Sequence, residues 1–161
     1  MEILLFAIVT AICLVFASFG DLRERMVYTA PIIAIHIMWG VYLWTSGMYT
    51  ERFLVCFWII QMLIYITLNC MSIWGGGDCD LYMLLGDICL LACNRANVIT
   101  VGMCVCISLA TGLILSIIIG RFEFACKGEV LEKDSGLAVA PGMAVVMIVL
   151  LIKFLIGTVI V

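Results

Sequence analysis

Two acidic residues stand at matching points of a strongly apolar chain: Asp21, just after the first apolar run, and Asp78, inside W-G-G-G-D-C-D (Trp74 to Asp80) after the third. Charge near lipid is costly, so a carboxylate kept there is a functional candidate. Two carboxylates that meet at a membrane surface can hydrolyse a peptide bond by general acid and base catalysis. One removes a proton from water, and the protonated partner stabilises the oxyanion that develops on the scissile carbonyl. Held close together they share a proton, and the apparent titrations belong to the pair. That chemistry requires no covalent intermediate, metal or cofactor.

The elements that carry these acids follow from composition. With 66% hydrophobic and 12% charged residues and a mean hydropathy of +1.32, the chain departs from soluble usage of about 45–50% apolar and 25% charged, and a soluble globular core is excluded. A hydrocarbon layer of roughly 30 Å needs about 20 apolar residues per helical crossing. Six runs of about that kind are present: Ile3 to Phe19, Val27 to Ser46, Phe53 to Ser72, Leu81 to Cys93, Val98 to Ile119 and Leu137 to Val159. The fourth is the shortest and contains Asp87. The runs stay apolar on every face for longer than the alternating stretch of about 10 residues that a barrel strand would show. An all-α polytopic membrane protein with six transmembrane helices is therefore expected, as a single membrane-embedded domain over residues 1–161. The first run follows Met1-Glu2 without a basic segment or a small-residue cleavage site, and is expected to be retained.

Topology then places the acids. Asp21 follows one crossing and Asp78 follows three, so both emerge on the same face whichever way the chain is inserted. Arg23, Arg25, Arg121, Lys127 and Lys133 lie in the breaks on that side, against Arg52 and Arg95 on the other, which makes it the cytoplasmic face of the cell membrane. Lys153, late in the sixth run, then reaches the outer interface along its own stem. The segment Gly120 to Gly136 joins the cytoplasmic side and reads as a solvated loop, with a lid over the site as the alternative.

The glycines of the second motif disfavour regular helix and permit close approach of another chain. An extended substrate could pass Gly75, Gly76 and Gly77 to reach Asp78, and Asp80 beside them joins the expected substrate-binding set. Plainer readings stand next to these. Asp78 can cap a helix N-terminus, and Asp21 can pair with Arg23 or Arg25. Seven of the nine cysteines lie within apolar runs, where thiols act as small hydrophobes, and their spacing does not form a zinc tetrad. His36 reads as a hydrogen-bonded interior imidazole. Asp80 and Asp87, seven apart, share a helical stripe, and Asp87 reads as a protonated or hydrogen-bonded packing group.

An apolar run, then G-D-L-R-E-R (Gly20 to Arg25), a distant W-G-G-G-D-C-D-L-Y-M-L-L-G (Trp74 to Gly86) and A-P-G (Ala140 to Gly142) entering the last helix together resemble the type IV prepilin peptidases, membrane aspartyl proteases of the GxGD class. The resemblance covers nearly the whole chain. It implies that Asp21 and Asp78 are the catalytic pair, that no metal or cofactor takes part, and that the substrates are pilin-like precursors whose hydrophobic N-terminal helix lies in the bilayer. Membrane lipid is the other expected contact, and no nucleic-acid partner is expected. Longer relatives carry a cytoplasmic region with a cysteine tetrad and methylate the new N-terminus, so cleavage without methylation is expected here. Two departures from the pattern are Met26-Val27-Tyr28-Thr29, where an Ile-Pro-Asn-like stretch is usual, and Asp80, where a Lys is usual. A second acid so near Asp78 would raise the cost of ionising it, unless the helix turns Asp80 away. A small transporter with a path lined by Asp21, Asp78, Asp80 and Asp87, and a noncatalytic membrane scaffold, are the rival readings.

Overall fold

A computed structural model describes residues 2–24, 26–71, 74–127 and 138–159; for residues 2, 124–127 and 159 only the backbone is described. The described residues form six α-helices and no strand: α1 (Glu2–Glu24), α2 (Thr29–Thr45), α3 (Glu51–Cys70), α4 (Gly76–Cys93), α5 (Val98–Lys127) and α6 (Ala140–Val159). Large apolar side chains such as Phe16, Phe19, Ile60, Leu63, Ile107 and Ile118 point outward, a surface that is stable against lipid and not against water. Four helices, α1, α3, α5 and α6, are long and apolar enough to cross a membrane. The chain is therefore a multi-pass, all-helical membrane protein.

Of the six expected crossings, only these four are met by helices of sufficient length and apolarity among the described residues. Helix α2 has 17 residues, about 26 Å at 1.5 Å per residue, which is short of the full apolar layer. Helix α4 carries Asp78, Asp80 and Asp87, and its surroundings explain why it tolerates them. Every residue from Cys79 to Ala92 is buried, and α2, α3, α5 and α6 all pack against it. Helix α4 is thus the centre of the bundle, screened from lipid by its neighbours, and its polar side chains meet protein.

Helix boundaries differ from the apolar runs where polar residues extend them. Helix α1 continues past Phe19 and holds Asp21 in its last turns, and α4 starts at Gly76, so Gly76 and Gly77 are helical. Helix α5 runs on through Lys127, converting the first part of the expected loop into helix; the rest of that loop, with Glu129, Glu132, Lys133 and Asp134, lies outside the described residues, as does Arg25.

Starts of helices have local causes. The Thr50 hydroxyl accepts from Phe53 N at 3.4 Å to begin α3, and Asn97 Oδ1 accepts from Thr100 N at 2.9 Å to begin α5. Helix α6 is fixed against α5 at its entrance: the Ser116 hydroxyl donates to Val139 O at 2.8 Å, and Gly142 lies directly on the α5 backbone, where a Cβ would sit 2.5 Å from Ser116 N. Small residues at such a crossing let backbones approach, the main source of helix association within a membrane.

Gly142→Ala should therefore lower the stability of the detergent-solubilised protein by about 1–3 kcal/mol, the usual range for forced overpacking. Gly157→Ala, where nothing lies within 4 Å of the new methyl, should leave it unchanged or slightly higher. Thermal unfolding followed by tryptophan fluorescence tests the pair, and equal midpoints for both variants would overturn the close crossing.

Candidate active site

The end of α1, the start of α4 and the start of α6 meet at one end of the bundle. Asp21 reaches this point from the last turns of α1 and is 6% exposed. Its Oδ2 accepts a hydrogen bond from Ala140 N at 2.8 Å, across 119 residues of sequence. The first N–H groups of a helix have no partner within it and carry the positive end of its dipole. A carboxylate supplied by another helix satisfies one of them, and the next position, Pro141, has no N–H to satisfy. The A-P-G motif is thus one physical unit: Ala140 binds Asp21, Pro141 begins the helix, and Gly142 admits α5.

Asp78 stands in the first turn of α4, ahead of its apolar run, where Gly75 O accepts from both Asp78 N and Cys79 N at 3.1 Å. Together Asp21, Met26, Val27, Gly75, Gly76, Gly77 and Asp78 line a cleft of about 230 Å³. The Asp78 carboxyl is pushed up to about 6, first by burial and then by the negative charge of Asp21. The two acids are therefore close enough to sense each other, as a shared-proton pair must be.

Each glycine of the motif has its own place in this cleft. A Cβ on Gly77 would lie 2.6 Å from Val27 Cβ and 2.8 Å from Val27 O, so this glycine makes room for the extended segment that links α1 to α2. Gly75 and Gly76 are exposed at the cleft, with nothing within 4 Å of a Cβ on Gly76. These two are open to an incoming chain, while Gly77 is already occupied by the protein's own backbone.

Asp80 does not join them. It lines a separate cavity with Ile33, His36, Met62, Tyr65 and Met83, and the effects that raise Asp78 come from burial and Asp21. A step of two residues turns a helix by about 200°, which carries Asp80 to the opposite face. Below it, Asp87 is fully buried, paired with His36 (Nδ1 to Oδ2, 2.5 Å) and accepting from Trp58 Nε1 at 3.0 Å. His36 is thus a hydrogen-bonded interior imidazole, and Asp87 a hydrogen-bonded packing group. Met26 and Val27, noted in the sequence only as a departure from the family pattern, are cleft residues. The glycine facing them implies a close neighbour without identifying it.

Comparison with known protein families, with curated proteins and with solved structures finds no match.

A pH signature follows from the position of Asp78. The ordinary carboxyl value is 3.8, and the folded protein holds the Asp78 proton up to about 6. The group therefore costs no stability while both states are protonated, and it lowers stability progressively as pH rises through that interval. Asp78→Asn has no charge to bury, so it should unfold at a higher temperature than the unsubstituted protein at about pH 7.5, with the gap closing near pH 4. A gap that does not change with pH would mean that the carboxyl is fully solvated.

Proposed function

We propose that this chain is a membrane aspartyl endopeptidase that removes the leader peptide of type IV pilin-like precursors at the cytoplasmic face of the cell membrane. The observation that carries this reading is the shared cleft of Asp21 and Asp78: two acids from distant parts of the sequence, half-enclosed, with the proton affinity of one raised by the charge of the other. The motif resemblance supplies the substrate class, and the cleft supplies the chemistry.

A precursor would lay its apolar helix in the bilayer beside the bundle and pass its scissile bond across the exposed Gly75 and Gly76. Asp21, in its ionised form, accepts a proton from a water molecule in the cleft, and the water oxygen bonds to the carbonyl carbon. Asp78, protonated, donates a hydrogen bond to the oxygen on which charge develops. Collapse of the tetrahedral intermediate breaks the C–N bond, the leaving amine takes a proton from the pair, and water restores the starting state. Because one proton must be retained by the pair, ionisation of both groups stops the reaction.

Co-expression with Flp-type prepilins, read by the size shift on leader removal, tests the proposal. Asp21→Asn and Asp78→Asn should each reduce processing by on the order of 10²–10⁴, the usual contribution of a general acid or base. Asparagine retains an acceptor for Ala140 N, so loss of processing without loss of thermal stability separates chemistry from folding. Processing that continues in either variant would remove that residue from the reaction. In purified protein, kcat/KM should decline as pH rises above about 6, where the free pair loses its last proton; a rate that climbs through pH 8 would point to different chemistry.

A further inference from the structure

The second cavity, on the side of α4 away from Asp21, is built for a ligand. It holds about 220 Å³ between α2 and α3, with α4 as its floor. Asp80 lines it and is 6% exposed, and its Oδ2 has no hydrogen-bond partner. Thr29 and Tyr65 approach the carboxyl from the starts and ends of the flanking helices, but hydroxyls solvate an anion without neutralising it. Among the described residues His36 is the one basic group in the wall; it is paired with Asp87 at 2.5 Å, so whatever charge it carries is shared between Asp87 and Asp80. Among the described residues no Lys or Arg lines the cavity, and the remaining walls are Ile33, Met62 and Met83.

A buried carboxylate oxygen without a partner is expensive to maintain. We infer that this cavity binds an alkylammonium group from the membrane, the cationic head on Asp80 and the aliphatic body along Ile33, Met62 and Met83. Its geometry matches the way such an amphiphile sits in a leaflet. Asp80, Thr29 and Tyr65 mark the end of the cavity nearest the face where α2 and α4 begin and α3 ends. Ile33, Met62 and Met83 each lie about one helical turn deeper, some 5 Å toward the apolar interior. Ile33 is 41% and Met62 49% exposed at the rim, so the entrance is on the lipid side. A bare metal ion fits less well, since the described residues contain no group of three His, Cys, Asp or Glu side chains able to hold one. This inference is independent of the peptidase reading, because neither Asp21 nor Asp78 contributes to the cavity.

Protein in phosphatidylcholine nanodiscs, titrated with octylammonium, octanol and octanoate and read by the unfolding midpoint, tests the site. Octylammonium should stabilise the protein at concentrations about tenfold or more below those at which octanol acts, the margin of a charge-assisted hydrogen bond. Asp80→Asn should abolish that preference while leaving the octanol response in place. Should Asp80→Asn fail to fold, Met62→Trp fills the cavity from its lipid-exposed rim and should remove the preference with the carboxylate intact. Equal responses to amine and alcohol in the unsubstituted protein, or a preference that survives both substitutions, would overturn the assignment.

Discussion

The hydrogen bond from Ala140 N to Asp21 is the constraint on which the candidate site depends. It joins the end of α1 to the start of α6, and α6 is the helix that packs most extensively on the remainder of the bundle, against α1, α4 and α5. Ala140 is fully buried, and a buried helix N–H must find an acceptor in the protein. The chain supplies a carboxylate from its other end, and in doing so holds that carboxylate beside the N-terminus of α4. The same contact therefore satisfies a backbone group and positions an acid. It also explains why Asp21 is buried and not spread into solvent with Arg23, which is exposed one turn-fragment later on the same helix.

Close backbone approach does the rest of the positioning. Gly77 lets the segment around Val27 lie against the first turn of α4, and Gly142 lets α6 lie against α5 near Ser116. A third contact of this kind occurs at Gly86, where a Cβ would overlap the Gln61 side-chain amide. Gln61 is buried with neither of its amide atoms hydrogen-bonded, so its own contact with α4 is one of shape, beside the hydrogen bond from Trp58 to Asp87. Each of these glycines removes a side chain where two backbones or a backbone and a bulky neighbour meet: Gly77 and Gly86 bring their neighbours onto α4, and Gly142 brings α6 onto α5.

How far the site could be read in advance follows from these same residues. The all-helical membrane architecture was legible because sustained apolar runs admit few alternatives, and parity alone put Asp21 and Asp78 on one side. The helix ends were not legible from hydropathy, since α1 and α4 continue through Gly20–Glu24 and Gly76–Asp80 by capping and packing among protein groups, where polar residues cost little. The status of α4 was hidden for a related reason. A short, acidic run looks like a poor membrane helix, yet a helix enclosed by four others is solvated by protein and follows different rules. The meeting of Asp21 with Ala140 links residues whose proximity depends on how α1 and α6 pack, and no local spacing encodes it.

Helical phase finally separates the acids of α4 into two environments. From Asp78 to Asp80 the helix turns about 200°, and from Asp80 to Asp87 seven further residues return almost to the same azimuth. One acid therefore shares a cleft with Asp21 of α1, while the other two face α2 and α3, where Asp87 engages His36 and Trp58. Had the motif carried its second acid three or four residues after Asp78, both would have lined the same cleft, and three carboxylates would have competed for protons there. A separation of two residues keeps the Asp21–Asp78 pair electrostatically simple and leaves Asp80 with surroundings of its own. The spacing D-C-D is thus a structural instruction: on a central helix it assigns adjacent acids to opposite sides of the bundle.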